Sequence, residues 1–144
     1  IQQTLEAVVE FKLPVKVVYP NADAGGRAMI QEIEKFKEQF PQIIATYPNI
    51  ERLEFLKLLT KARVLIGNSS AGLIEAPTLN LPAVNIGPRQ KGREQAKNVI
   101  NVDYNRKQIV KTISKALGWR LNRLKNPYGD GKTSQRVVKF LKTI

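Results

Sequence analysis

The sequence predicts an α/β fold, a three-layer doubly wound parallel sheet covered by helices on both faces. Three observations lead there. Short apolar or β-branched runs alternate regularly with stretches of helical period along the chain. One of these runs, at 64–66, enters a turn of small polar residues that feeds straight into the next helical stretch. Finally, 144 residues with 42% hydrophobic content suffice for one domain with a real core and not for two large ones.

Taken in order, 4–11 reads as the end of a helix and 15–19 as a β-branched strand stopped by Pro20. Met29, Ile30, Ile33, Phe36 and Phe40 give 27–40 a helical spacing that Pro41 ends. A short strand at 43–46 precedes a helix running to about 61, carried by Leu53, Phe55, Leu56, Leu58 and Leu59. Strand 64–66, helix 73–79 and strand 83–86 follow, then a fifth strand at 98–102 and an amphipathic helix at 107–117 closed by Gly118. An apolar-poor connection (119–125) and the turn NPYGDG (126–131) lead to a last helix at 134–142.

The segment VLIGNSSAGLIEAPTLNLPAVNIGPRQKGR, at 64–93, carries the chemistry. Its turn, Gly67, Asn68, Ser69, Ser70, Ala71 and Gly72, follows a buried parallel strand and opens a helix whose first N–H groups have no intrahelical partner. Free donors, two serine hydroxyls and small residues that allow close backbone approach suit an anion, and the expected ligand carries phosphate. The plainer alternative is that Ser69 or Ser70 only caps the helix and Glu75 is an ordinary first-turn carboxylate.

The loop after the next strand, GPRQKGRE (87–94), tips the balance toward a site. Loops at the carboxyl ends of adjacent parallel strands face one crevice, and this one brings Arg89, Gln90, Lys91 and Arg93. Arg89 and Arg93 are candidates for bidentate phosphate contacts. PNADAGGR (20–27) opens on the same edge, with Asn21 and Asp23 as further candidates, although for Asp23 and Asp130 an Asx-turn role is the simpler reading. Glu75 is placed to accept ribose hydroxyls. Phe55 precedes the turn and could stack on a base, though by itself it reads as core. No Walker A loop or G-x-G-x-x-G fingerprint is present.

Bulk composition sets limits. There is no cysteine and no histidine, which removes thiolate chemistry and the commonest general base and metal ligand; no metal and no cofactor are expected. No apolar stretch reaches the roughly 20 residues that span a bilayer, so the expectation is a soluble, cytoplasmic chain without a membrane partner. Because the chain starts at Ile1 inside an amphipathic helical pattern, it reads as a fragment cut from something longer. The net charge of +12 favours acidic partners, and from Arg106 onward eleven Lys or Arg face one acid, Asp130. Lys107, Lys111 and Lys115 fall on one helix face, for which a solvated surface is the first explanation.

PNADAGGR, GNSSAGLIEAP, PAVNIGPRQKGRE with NVI soon after, and NPYGDG, in this order and spacing, resemble the carboxyl-terminal half of hydrolysing UDP-N-acetylglucosamine 2-epimerases. The likeness runs from Val15 to Ile144 and implies a Rossmann-like domain, one of the two that flank the cleft of a GT-B enzyme. It implies that Ser69 and Ser70 hold a diphosphate, Glu75 the ribose hydroxyls and Arg89 the phosphate or neighbouring groups, while Phe55 stacks on uracil near the backbone of Ile50; Asn68 and Gly72 of the same turn are further substrate-binding candidates. It further implies a role in amino-sugar and sialic acid metabolism. Family members eliminate UDP to give a glycal and then add water, with most acids and bases in an amino-terminal domain. The partners it implies are UDP or UDP-N-acetylglucosamine and that missing domain; a homo-oligomer of the full enzyme is compatible with it. The chain alone is then expected to bind and not to turn over. The competing readings are a GT-B glycosyltransferase domain, which would place UDP on the same turn, and a basic nucleic-acid-binding module, against which no nucleic-acid motif is recognisable.

Overall fold

The structure, a computed structural model, describes residues 1–20 and 25–143. The candidates Asn21 and Asp23 lie outside the described residues. Five strands alternate with helices: α1 (Gln2–Val9), β1 (Val15–Val18), α2 (Gly26–Gln39), β2 (Ile44–Tyr47), α3 (Arg52–Lys61), β3 (Leu65–Gly67), α4 (Ala71–Ile74), β4 (Ala83–Ile86), β5 (Val99–Val102), α5 (Arg106–Leu117) and α6 (Thr133–Leu141). Two 3-10 turns, Ala76–Leu79 and Pro88–Gln90, flank β4. The boundaries differ from the sequence expectation by a residue or two, as helix and strand ends commonly do.

Every strand pair is parallel, as the alternation predicts. Among the described residues the hydrogen-bonded ladder divides into two groups, β1 with β2 and β3-β4-β5 with β4 central, where the sequence suggested one sheet. Side-chain packing spans the division. Val15 of β1 packs on the same cluster as Val64 and Ile66, around Val84, Ile86, Ile109 and Ile113.

Strand alternation explains the layers. Val84 and Ile86 point toward α1 and α5, whose Ala7, Val8, Ile109, Ile113 and Ala116 complete that cluster. On the opposite face Ala83 meets α4 at Gly72, and Leu59, Ala76 and Leu81 pack with Phe55, Leu56, Leu65 and Leu79. β4 is buried along its whole length, as a strand covered on both faces must be. A third cluster, Leu5, Ile33, Phe36 and Ile44, fixes α2 over β1 and β2. Arg106 ties α5 to α1 through Glu10, 2.8 Å from its Nε.

Two elements depart from the sequence reading. The helix expected over 73–79 is a single turn, α4, followed by the Ala76–Leu79 3-10 turn. Pro77 has no N–H to give to Leu73, so the α-helical ladder cannot continue through it. Asn80, left-handed at φ 51°, ends the segment. The last helix, α6, buries nothing: Val137, Val138, Phe140 and Leu141 are all at least half exposed.

Candidate functional site

Because β3 and β4 are parallel with Gly67 opposite Asn85, the chain leaves both strands at the same edge. The serine turn therefore sits beside the basic loop. Ser70 opens α4 with its carbonyl, which accepts from the N–H groups of Leu73 and Ile74 at 2.9 Å, while its hydroxyl makes no capping bond. Ser69 is more exposed, and its Oγ accepts from the Ala71 N–H at 3.3 Å. The capping role thus falls to Ser69 and leaves the Ser70 hydroxyl for another partner. With only four residues in α4, what this edge offers an anion is a set of local donors rather than a long helix dipole.

Gly72 is buried under this turn. A Cβ there would lie 3.2 Å from the Ala83 Cβ, so its small size serves the approach of α4 to β4 rather than the approach of a ligand. Asn68 is half-buried, and its carbonyl accepts from Gln90 Nε2 at 2.7 Å.

That bond closes the site. Gln90 is buried, and its Oε1 accepts from Arg93 Nη1 at 3.0 Å, so one amide holds the serine turn with one end and the basic loop with the other. Arg93 therefore has one nitrogen engaged within the protein, and Arg89 and Lys91 are exposed on the same loop. The cradle under the turn, lined by Gly67, Ser69, Gly72 and Asn85 among others, encloses only about 10 Å³, so any anion is met on the open edge. A wider groove of about 280 Å³ begins near Pro82, Arg63, Trp119 and Arg120, at the opposite end of the strands.

Glu75 caps the carboxyl end of α4 and is not a first-turn acid. Its side chain is mostly buried, and Arg52 Nη1 lies 3.4 Å from its Oε1, which orients the carboxylate toward α3. Phe55, also on α3, is half-buried against the cluster of Leu59, Ala76 and Leu81, and Ile50 precedes the same helix. The structure thus gathers Asn68, Ser69, Ser70, Gln90 and Arg93 around one edge, with Gly72 buried beneath and Arg89 on the loop beside them, while Glu75, Phe55 and Ile50 lie on the α3 side.

Several residues of this edge escape sequence reasoning. Asn98, fully buried, donates to the carbonyls of Gly72 and Leu81, both at 3.0 Å, and so fixes α4 against the entry to β4. Asn126 donates to the Ile74 carbonyl and Tyr128 to the Glu94 carbonyl. The motif NPYGDG was the available signal for the last two; Asn98 gave none beyond its place at the start of an expected strand. Beside β1 the Tyr19 hydroxyl donates to Glu34, which lowers the carboxyl's pKa and raises the phenol's. No group of three or more acidic, histidine or cysteine side chains able to hold a metal occurs among the described residues. Nor is any helix there long and apolar enough to cross a membrane.

Comparison with solved structures gives the class. The UDP-GlcNAc 2-epimerase of Methanocaldococcus jannaschii, solved in complex with UDP-GlcNAc and UDP, superposes with a TM-score of 0.74 at 21% identity, over 100% of this chain and 42% of that one. The Neisseria meningitidis UDP-GlcNAc 2-epimerase bound to UDP-GlcNAc gives 0.72 at 16% identity, over 100% and 41%. The fold is the Rossmann-like half of a GT-B architecture.

The chain belongs to the UDP-N-acetylglucosamine 2-epimerase family, whose sequence pattern matches residues 1–142. It is 37% identical over 143 residues to the UDP-N,N'-diacetylbacillosamine 2-epimerase (hydrolyzing) of Legionella pneumophila, covering 99% of this chain and 37% of that protein. It is 35% identical over 127 residues to the UDP-N-acetylglucosamine 2-epimerase of Neisseria meningitidis serogroup B, covering 88% and 33%. The chain therefore spans about a third of the length of these relatives.

Proposed function

We propose that residues 1–144 form one nucleotide-sugar-binding unit that holds the UDP portion of the substrate of a hydrolysing UDP-N-acetylglucosamine 2-epimerase. The observation that carries the proposal is the Gln90 bond, which fixes a turn with an uncommitted serine hydroxyl against a loop with Arg89, Lys91 and Arg93 at the shared end of β3 and β4. The family match and the nucleotide-bound relatives point the same way, and the Legionella pneumophila relative carries the word hydrolyzing in its name.

In this reading Ser69 and Ser70 hold the diphosphate and Arg89 neutralises it. Glu75, oriented by Arg52, accepts the ribose hydroxyls, and Phe55 near Ile50 stacks on uracil. The reaction removes UDP from the sugar to leave a glycal, and water then adds to release the 2-epimer. Charge builds on the departing diphosphate, so donors aimed at it stabilise the transition state as well as the bound substrate. Proton transfer to and from the sugar falls to the rest of the longer protein. The isolated chain is expected to bind UDP and not to turn over.

Calorimetry on two variants tests the site residue by residue. Hydrogen bonds to charged groups are worth about 1.5–3 kcal/mol, so each change should weaken UDP roughly tenfold or more. Ser70→Ala should lose more with UDP than with uridine. Glu75→Gln should lose equally with both and erase the preference for UDP over 2′-deoxy-UDP. An intact ribose preference in Glu75→Gln would reduce Glu75 to the partner of Arg52.

A further inference from the structure

We infer that the turn at 126–131 is a positioning strap for this site: Asn126 and Tyr128 set the affinity for ribose and diphosphate by holding the two nucleotide-facing segments in register, without touching the nucleotide. The inference rests on the nucleotide reading above.

The contacts are specific to the two segments. Asn126 Nδ2 donates to the Ile74 carbonyl and to Thr78 Oγ1, both at 2.8 Å, and its Oδ1 accepts from the Tyr128 N–H at 2.9 Å. Ile74 is the last residue of α4 and immediately precedes Glu75. A one-turn helix leaves its terminal carbonyls short of internal partners, so an outside donor decides where that end sits. Two residues on, the Tyr128 hydroxyl donates to the Glu94 carbonyl at 3.1 Å, directly after Arg93. The partners lie 52 and 34 residues away in sequence, one at the end of α4 and one in the basic loop.

The basic loop thereby has two anchors. Gln90 holds it from inside at Asn68, and Tyr128 holds it from outside at Glu94, with Lys91, Gly92 and Arg93 exposed between. Little of this serves the core. Asn126 is half-buried, Tyr128 is 41% exposed, and the rest of the turn is exposed. Side chains that bury so little and reach to polar atoms beside candidate ligand groups act on the placement of those groups.

The test uses the 144-residue chain, with calorimetry for UDP and uridine and amide hydrogen exchange as a ligand-free readout. Tyr128→Phe removes only a hydroxyl. It should weaken UDP about fivefold, the equivalent of one neutral hydrogen bond, leave uridine unchanged, and speed exchange over 90–95. Asn126→Ala should weaken UDP and uridine alike, about fivefold or more, and speed exchange around 74–79. Equal losses of UDP and uridine in Tyr128→Phe would mean general loosening and would overturn the inference. So would wild-type affinity and exchange in that variant while Ser70→Ala still weakens UDP, and then the nucleotide reading stands without the strap. A wild-type chain that binds no UDP overturns both.

Discussion

Gly87 leaves β4 with φ 76° and ψ −176°, a backbone region essentially restricted to glycine, and a Cβ there would lie 2.3 Å from the Tyr104 ring. Tyr104 is exposed and can swing aside, so the lasting cost of Gly87→Ala is backbone strain, about 1–3 kcal/mol. The penalty should survive in a Tyr104→Ala background when measured by urea unfolding, and its disappearance there would assign it to the ring. A second residue-scale expectation concerns charge. The Arg136 hydrogen bond, helped by the Lys132 N–H, holds the Asp130 carboxyl at about 2 against an ordinary 3.8. A depressed carboxylate pKa stabilises the fold above the unfolded value, and the contribution disappears as pH falls through the folded value. The pair should therefore support the start of α6 above about pH 4 and release it toward pH 2. In an NMR titration Asp130 should have its midpoint near 2 and move toward 3.8 in Arg136→Gln; a wild-type midpoint near 3.8 would mean the pair is not formed in solution.

Among the elements, α4 adjoins the proposed diphosphate donors and has the least structure of its own. A single turn nucleates poorly, so its position is imposed from outside: by Gly72 against Ala83, by Asn98 on the Gly72 carbonyl, and by Asn126 on the Ile74 carbonyl. Asn98→Ala would leave the Gly72 and Leu81 carbonyls without their donor in the interior, at a cost of about 2–4 kcal/mol. Asn98→Asp should cost more, since a carboxylate would face those carbonyls. Chemical denaturation reads both, and a loss below about 1 kcal/mol in Asn98→Ala would mean that water or a backbone shift replaces the amide.

At the scale of the whole molecule the dominant quantity is the net charge of +12. On α5, Lys107, Lys111 and Lys115 are exposed along one face, and none is held by an ion pair among the described residues. Such a surface attracts any polyanion through its counterions, with an affinity that collapses as salt rises. DNA binding should accordingly be weak and lost with modest salt, while the proposed UDP binding, if made by local hydrogen bonds, should persist in the same titration. Tight, sequence-selective DNA binding at physiological salt would move the basic face from solvated surface to recognition surface.

The alternation of elements, the parallel strands, the serine turn, the basic loop and the family motifs were legible in the sequence because each depends on local pattern. Proline and glycine placement, hydrophobic period and residue type act over a few residues at a time. Even the break at Pro77 was locally encoded, though the apolar run of Leu73 to Leu79 masked it. What tertiary structure alone decided is which residues hold the edge together. The Gln90 amide acts across 22 residues, Asn98 across 26 and 17, and Asn126 across 52. None of these spacings leaves a periodic trace. The same is true of Glu75, for which the sequence offered a first-turn acid as the plainer alternative and which the shortness of α4 makes its C-cap, paired with Arg52. Local sequence sets what each segment prefers to be; only packing of β3 beside β4 brings the segments within hydrogen-bonding distance and so decides which polar side chains hold the two loops together.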